Sequence, residues 1–227
     1  MTLSTDEAMS AIAAHADTAR AREMAAWHKV PRPYLGVGVP VLNALASRWR
    51  RDLAPGERVA LAEGLWETNV HEARIAAAIL LTEARIADDL AVWRLIAGWV
   101  PELDGWAIAD HAASAGQRRL LADSSRLDEV ETWIARDHLW SRRAALVMTL
   151  PWARVADPSP AQSDERERIL GWVARLSGDR ARFVQKAVGW WLRDLSRRSP
   201  DRVRAFLERH GERLRAVART EATRHLR

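Results

Sequence analysis

The 227-residue sequence predicts an all-α fold built as a HEAT-like helical-repeat solenoid with a basic concave face, on three observations. Apolar residues recur at three- and four-residue spacing in almost every segment. Alanine and leucine abound, and no stretch alternates with β-branched enrichment, so strands are not expected. A weak self-similarity returns along the chain, a basic residue just before small apolar ones: Glu72-Ala73-Arg74-Ile75-Ala76-Ala77, Ser141-Arg142-Arg143-Ala144-Ala145-Leu146 and Val184-Gln185-Lys186-Ala187-Val188-Gly189. Between the first two lies Trp106-Ala107-Ile108-Ala109-Asp110. Positions 74, 110, 143 and 186 are thus 36, 33 and 43 residues apart, a spacing that suits stacked helix pairs. Equivalent positions of such a stack line one concave surface, where Arg74, Arg143 and Lys186 are expected to form a basic track interrupted by a single carboxylate, Asp110.

Breaks between helices are expected at Val30 to Pro40, at Ala54 to Gly56, near Pro101, from Pro151 to Pro160, and at Gly178, Pro200 and Gly211. About a dozen helices of ordinary length remain. Starts are signalled at Ser4-Thr5-Asp6-Glu7, at Ser163-Asp164-Glu165 and at Pro200-Asp201, where small polar or acidic residues meet the unpaired amides of a first turn. With 48% hydrophobic residues the chain can bury a large core, and residues 1–227 are read as one domain.

Composition then limits the chemistry. There are no cysteines, which excludes disulfides, thiolate zinc sites and a cysteine nucleophile. The seven histidines show no metal-binding spacing and are read as surface or packing residues. Neither a nucleophile elbow nor a glycine-rich phosphate loop is present, so no metal and no cofactor are expected. The first ten residues lack a signal pattern, and the longest apolar run, Ile75 to Leu81, is too short to span a bilayer; a soluble, cytoplasmic protein without a membrane partner is the expectation. Basic residues exceed acidic ones by 35 to 30, with a pI near 10.7, which favours a polyanionic partner. Only Lys29 and Lys186 are lysines. The arginine excess fits either phosphate contacts or the codon usage of a GC-rich genome.

Three groupings could carry function. Arg182, Lys186, Trp190, Arg193 and Arg197 share one helical face. That face reads either as a solvated basic stripe partly covered by a tryptophan or as a surface for a DNA backbone and an exposed sugar. Trp106 and Asp110 sit one turn apart and project side by side. They read either as a core tryptophan with a solvent-facing acid or as a functional pair, the latter because Asp110 occupies a repeat position that is basic elsewhere. Trp140 and Arg143 form a third pair at i and i+3.

Taken together the sequence resembles the AlkD family of bacterial alkylpurine DNA glycosylases, over most of its length. The resemblance rests on Met24-Ala25-Ala26-Trp27-His28-Lys29 followed by Tyr34-Leu35-Gly36-Val37 and Pro40, on Trp106-x-x-x-Asp110, and on Leu139-Trp140-x-x-Arg143-Ala144-Ala145. Phe183-Val184-Gln185-Lys186-Ala187-Val188-Gly189-Trp190-x-Leu192-Arg193 is its most specific stretch, and Arg219-x-Glu221-Ala222-x-Arg224-His225 completes it. Trp27 stands where a tyrosine is usual. The resemblance implies that Asp110 is the catalytic carboxylate, that Trp106 and Trp190 flank the target deoxyribose, and that Arg143 holds a nearby phosphate and favours ionised Asp110. Trp27, Lys29, Arg74, Trp140, Arg182, Lys186 and Arg193 are the expected DNA contacts. The implied substrate is double-stranded DNA carrying cationic alkylated purines, 3-alkyladenine or 7-alkylguanine, acted on by a monomer without a base pocket. Two other functions fit the same residues: a self-resistance glycosylase for bulky natural-product adducts, and a non-catalytic HEAT-repeat scaffold binding DNA or protein.

Overall fold

The computed structural model describes residues 3–226 and contains helices and loops only. Its contacts fall into two compact units, dividing after Ala122. The first unit holds α1 (Thr5–Ala13), α2 (Thr18–His28), α3 (Val39–Asp52), α4 (Pro55–Glu67), α5 (His71–Leu81), α6 (Leu90–Trp99) and α7 (Trp106–Ala122). The second holds α8 (Leu127–Trp133), α9 (Leu139–Met148), α10 (Leu150–Arg154), α11 (Pro160–Arg175), α12 (Arg182–Ser196), α13 (Pro200–His210) and α14 (Ala216–Thr223). No helix among the described residues is long and apolar enough to cross a membrane.

In the first unit α5 is the central element. Its sequence is apolar almost all round, so no face can be left to water. All eleven of its residues are buried, and it packs against α3, α4 and α7. Its neighbours are amphipathic and turn Leu42, Leu45, Ala46 and Trp49 of α3 and Leu61, Ala62, Leu65 and Trp66 of α4 inward.

In the second unit α12 plays that part, but with one covered face. Val184, Ala187, Val188, Trp191, Leu192 and Leu195 are buried against α9, α10, α13 and α14, while Arg182, Lys186, Trp190, Arg193 and Arg197 lie on its less buried side. Gly189 lets α14 approach: a Cβ there would stand 2.9 Å from the Ala218 Cα.

Several helix ends follow the sequence signals. Ser4 caps α1 reciprocally with Glu7, and Pro200 opens α13. One start differs. The Ser163-Asp164-Glu165 signal lies inside α11, which begins at Pro160 and is capped by Ser159 in a reciprocal pair with Gln162. The earlier start wins because Ser-Pro-x-Gln satisfies two first-turn amides at once. Within the expected break from Pro151 to Pro160, a short helix, α10, continues to Arg154.

Candidate active site

Helix α7 starts at Trp106, directly after Asp104-Gly105, so Trp106 stands in the first turn and Asp110 one turn on, along the same face. Their burial is the reverse of a core tryptophan with a solvent-facing acid. Trp106 is 40% exposed, whereas Asp110 is half-buried in a cleft of about 280 Å³. The cleft is lined by, among others, Met24, His28, His71, Trp106, Asp110 and His111.

Three segments bring aromatic rings to this cleft. Helix α2 ends on His28, which is followed by Lys29 in the left-handed region (φ 56°), a conformation that closes the helix and turns the chain into the 30–38 loop. That loop carries Tyr34, and α5 begins with His71. The His28 ring lies 4.5 Å from that of His71 and 5.3 Å from that of Trp106; Tyr34 lies 4.7 Å from His71 and stacks nearly parallel to His28 at 6.0 Å. Trp106 is therefore backed by a run of rings reaching into the loop.

These rings carry little charge. Burial, then the neighbouring His28, Arg32 and His111, pushes His71 down to about 3. Burial also lowers the pKa values of His28 and His111, with Glu72 opposing the shift at the first and Asp110 at the second. Burial raises that of the Tyr34 phenol. At neutral pH these rings are thus uncharged and aromatic beside the Asp110 carboxylate, with the exposed Arg20 the basic side chain lining the same cleft; aromatic faces and a carboxylate both attract a passing positive charge. Among the described residues no group of three or more acidic or histidine side chains is placed to hold a metal.

In the second unit, Arg143 of α9 is buried, with 1% exposure. Its Nη1 donates to the Phe183 carbonyl at 2.8 Å, and its guanidinium carbon lies 4.7 Å from the centre of the Trp190 ring. Trp140 is also buried, its ring 4.9 Å from that of Phe183, and Lys186 Nζ lies 5.7 Å from the same Phe183 ring. Arg193 is engaged by Glu221 at 2.7 Å and Asp194 at 3.1 Å, while Arg182 is exposed at the start of α12.

The remaining sequence-derived contacts divide in the same way. Trp27 is 73% exposed and Lys29 is exposed beside it. Arg74 is turned inward: its Nε donates to the Trp66 carbonyl, it pairs with Glu102 at 3.0 Å, and it lies over the Trp66 ring. Arg74 and Arg143 thus depart from an exposed basic track, because each sits on a helix whose surroundings cover that position. Absent from the sequence-derived site are His28, His71, His111, Tyr34 and Glu72. His28 and Tyr34 lay within a quoted motif, but nothing in their spacing joins them to Trp106.

The fold and this cleft define a helical-repeat protein with an aromatic, carboxylate-bearing site. The chain belongs to the DNA alkylation repair enzyme family, whose model matches residues 8–226. Its structure is similar to that of a predicted DNA alkylation repair enzyme from Enterococcus faecalis, with 18% identity, a TM-score of 0.78 and coverage of 93% of this chain and 97% of that one. It is also similar to AlkD2 from Streptococcus mutans, with 20% identity, a TM-score of 0.62 and coverage of 83% and 88%. At such identities the likeness is one of fold. Among curated protein sequences none matches the chain.

Proposed function

We propose that this repair-family protein is a DNA glycosylase that excises cationic alkylated purines, such as 3-alkyladenine and 7-alkylguanine, from duplex DNA. The observation that carries the reading is the inverted pair on α7, a solvent-facing Trp106 beside a half-buried Asp110. A merely structural pair would bury the ring and solvate the acid.

Alkylation at N3 or N7 makes the purine cationic and a good leaving group, so no general acid is required. The C1′–N bond breaks with its electron pair leaving on the base, which becomes neutral, and positive charge passes to the sugar as an oxocarbenium-like species. Asp110 stabilises that charge and orients water, the Trp106 face adds cation–π attraction, and water forms the new C1′–O bond while its proton goes to solvent. The neutral imidazoles nearby add no competing positive charge. In the second unit, Trp190 is proposed to meet the sugar of the DNA, while the buried Arg143, bonded to the Phe183 carbonyl and lying against the Trp190 ring, braces that ring rather than reaching a phosphate. Trp27 and Lys29 of the first unit and Arg182 and Lys186 of the second are the proposed backbone contacts.

The test is incubation of the purified protein with methylated duplex DNA and analysis of the released bases. Free 7-methylguanine and 3-methyladenine, with abasic but unbroken strands, are expected. A protein that binds the duplex and releases neither base is a scaffold, and the reading fails.

A further inference from the structure

Helix α2 supplies Arg20, Met24 and His28 to the cleft, yet none of its eleven residues is buried. Apolar burial therefore does not fix where α2 lies, and an isolated helix of this length is not stable on its own. What holds it is the stretch 35–37. Asp17 N–H, at the α2 N-cap, donates to the Leu35 carbonyl at 2.9 Å. Gly36 presses against the first turn so closely that a Cβ would stand 2.2 Å from the Asp17 carbonyl oxygen and 2.8 Å from the Ala21 nitrogen. Its φ of 78° also favours glycine.

That stretch is held in turn by one side chain. Glu72 is fully buried, and its carboxylate accepts the N–H groups of Leu35 at 3.0 Å, Gly36 at 2.7 Å and Val37 at 3.2 Å. Three charge-assisted bonds to consecutive amides fix the backbone of this stretch, beside the buried Val37 side chain. The adjacent His71 reinforces the link, its N–H donating to the Pro33 carbonyl at 3.0 Å and its ring meeting Tyr34 and His28. Arg32 of the same loop pairs with Asp104, two residues before Trp106. With its oxygens occupied by backbone donors, Glu72 is poorly placed for proton transfer and well placed to hold.

We propose that Glu72 is a positioning residue for the candidate active site: its carboxylate fixes residues 35–37, these fix α2, and α2 sets His28 against Trp106 beside Asp110. The link to chemistry rests on the glycosylase reading above; the mechanical link does not.

The experiment is hydrogen–deuterium exchange of the full chain at short times, paired with single-turnover release of 7-methylguanine. In Glu72→Gln, amides of residues 35–37 and of α2 are expected to exchange at least about tenfold faster while α5 and α7 keep their protection, and the release rate falls about tenfold. Gly36→Ala attacks the same contact from the loop side and should give the same pattern. Leu65→Ala, a core cavity in α4, lowers the melting temperature but leaves α2 exchange and the release rate as in the wild type. Unchanged α2 exchange in either folded variant overturns the assignment, as does faster α2 exchange with an unchanged release rate. Failure of both variants to fold also overturns it, since Glu72 is then a core group. A wild-type protein that releases no base refutes the glycosylase reading instead, and the exchange arm still decides the link.

Discussion

Replacing Asp110 by asparagine removes one negative charge from the cleft and little else. The side chain keeps its shape and one acceptor oxygen, so the fold should lose roughly 1 kcal/mol or less. The chemical cost is larger because His28, His71 and His111 are held towards their neutral forms by burial and leave Asp110 as the negative charge of the cleft, opposed there by Arg20. A unit charge about 4 Å away at an effective dielectric of about 20 is stabilised by about 4 kcal/mol, or on the order of 1000-fold in rate. Loss of a preorganised group commonly costs about 100- to 1000-fold, in line with that figure. Affinity for undamaged duplex should rise slightly, since a repulsion from phosphate is removed. The assay is single-turnover release of 7-methylguanine by both proteins, with melting temperature and duplex affinity measured in parallel. Equal release rates in two folded proteins refute the role of Asp110.

Binding to undamaged duplex should be nearly indifferent to sequence and fall steeply with salt, and Lys29→Ala and Arg182→Ala should each reduce the log–log slope by about one; a flat salt response excludes the phosphate contacts. His71 has a folded pKa of about 3 against about 6.5 unfolded, so the unfolded chain binds the extra proton. Its contribution is complete above pH 6.5 and is lost as the pH falls towards 3, with about 2 kcal/mol gone by pH 5. Urea unfolding at pH 7 and pH 5 should show this loss, and His71→Gln should shrink the difference; an equal difference in the variant removes His71 as its source. Gly189→Ala gains about 1 kcal/mol of helix propensity but drives a methyl to 2.9 Å from Ala218 Cα and Glu221 Cβ. Overpacking should win by about 1–2 kcal/mol, lowering the melting temperature by several degrees; a more stable variant shows that α14 yields freely.

Helical class and repeat character were legible because both are periodic properties of the chain. So was the shared face of Trp106 and Asp110, which follows from a spacing of four within any helix. Which face a neighbour covers is not periodic. Arg74 reads as a surface charge until α5 is seen to be covered on every side, and Arg143 until Phe183 and Trp190 enclose it. The ring cluster was hidden for a related reason. His28, Tyr34, His71 and Trp106 come from two helix starts, a helix end and a loop, and only the chain's path between α2 and α5 brings them together. The Glu72 carboxylate, likewise, is an ordinary first-turn acid by sequence, and its partners lie about 36 residues earlier.

The arginines inside the fold have a consequence for how its charge is counted. Arg50 grips the carbonyls of Ile79 and Thr82, Arg166 those of Trp152 and Val155, and Arg142 those of Arg136 and Asp137. Each guanidinium joins two carbonyl oxygens at a helix end or turn, a task a lysine ammonium meets less well. Much of the positive charge is thereby enlisted as internal carpentry. An arginine-to-lysine library would leave the net charge at neutral pH unchanged while loosening joints throughout the molecule, so the count of basic residues overstates what a polyanion can reach.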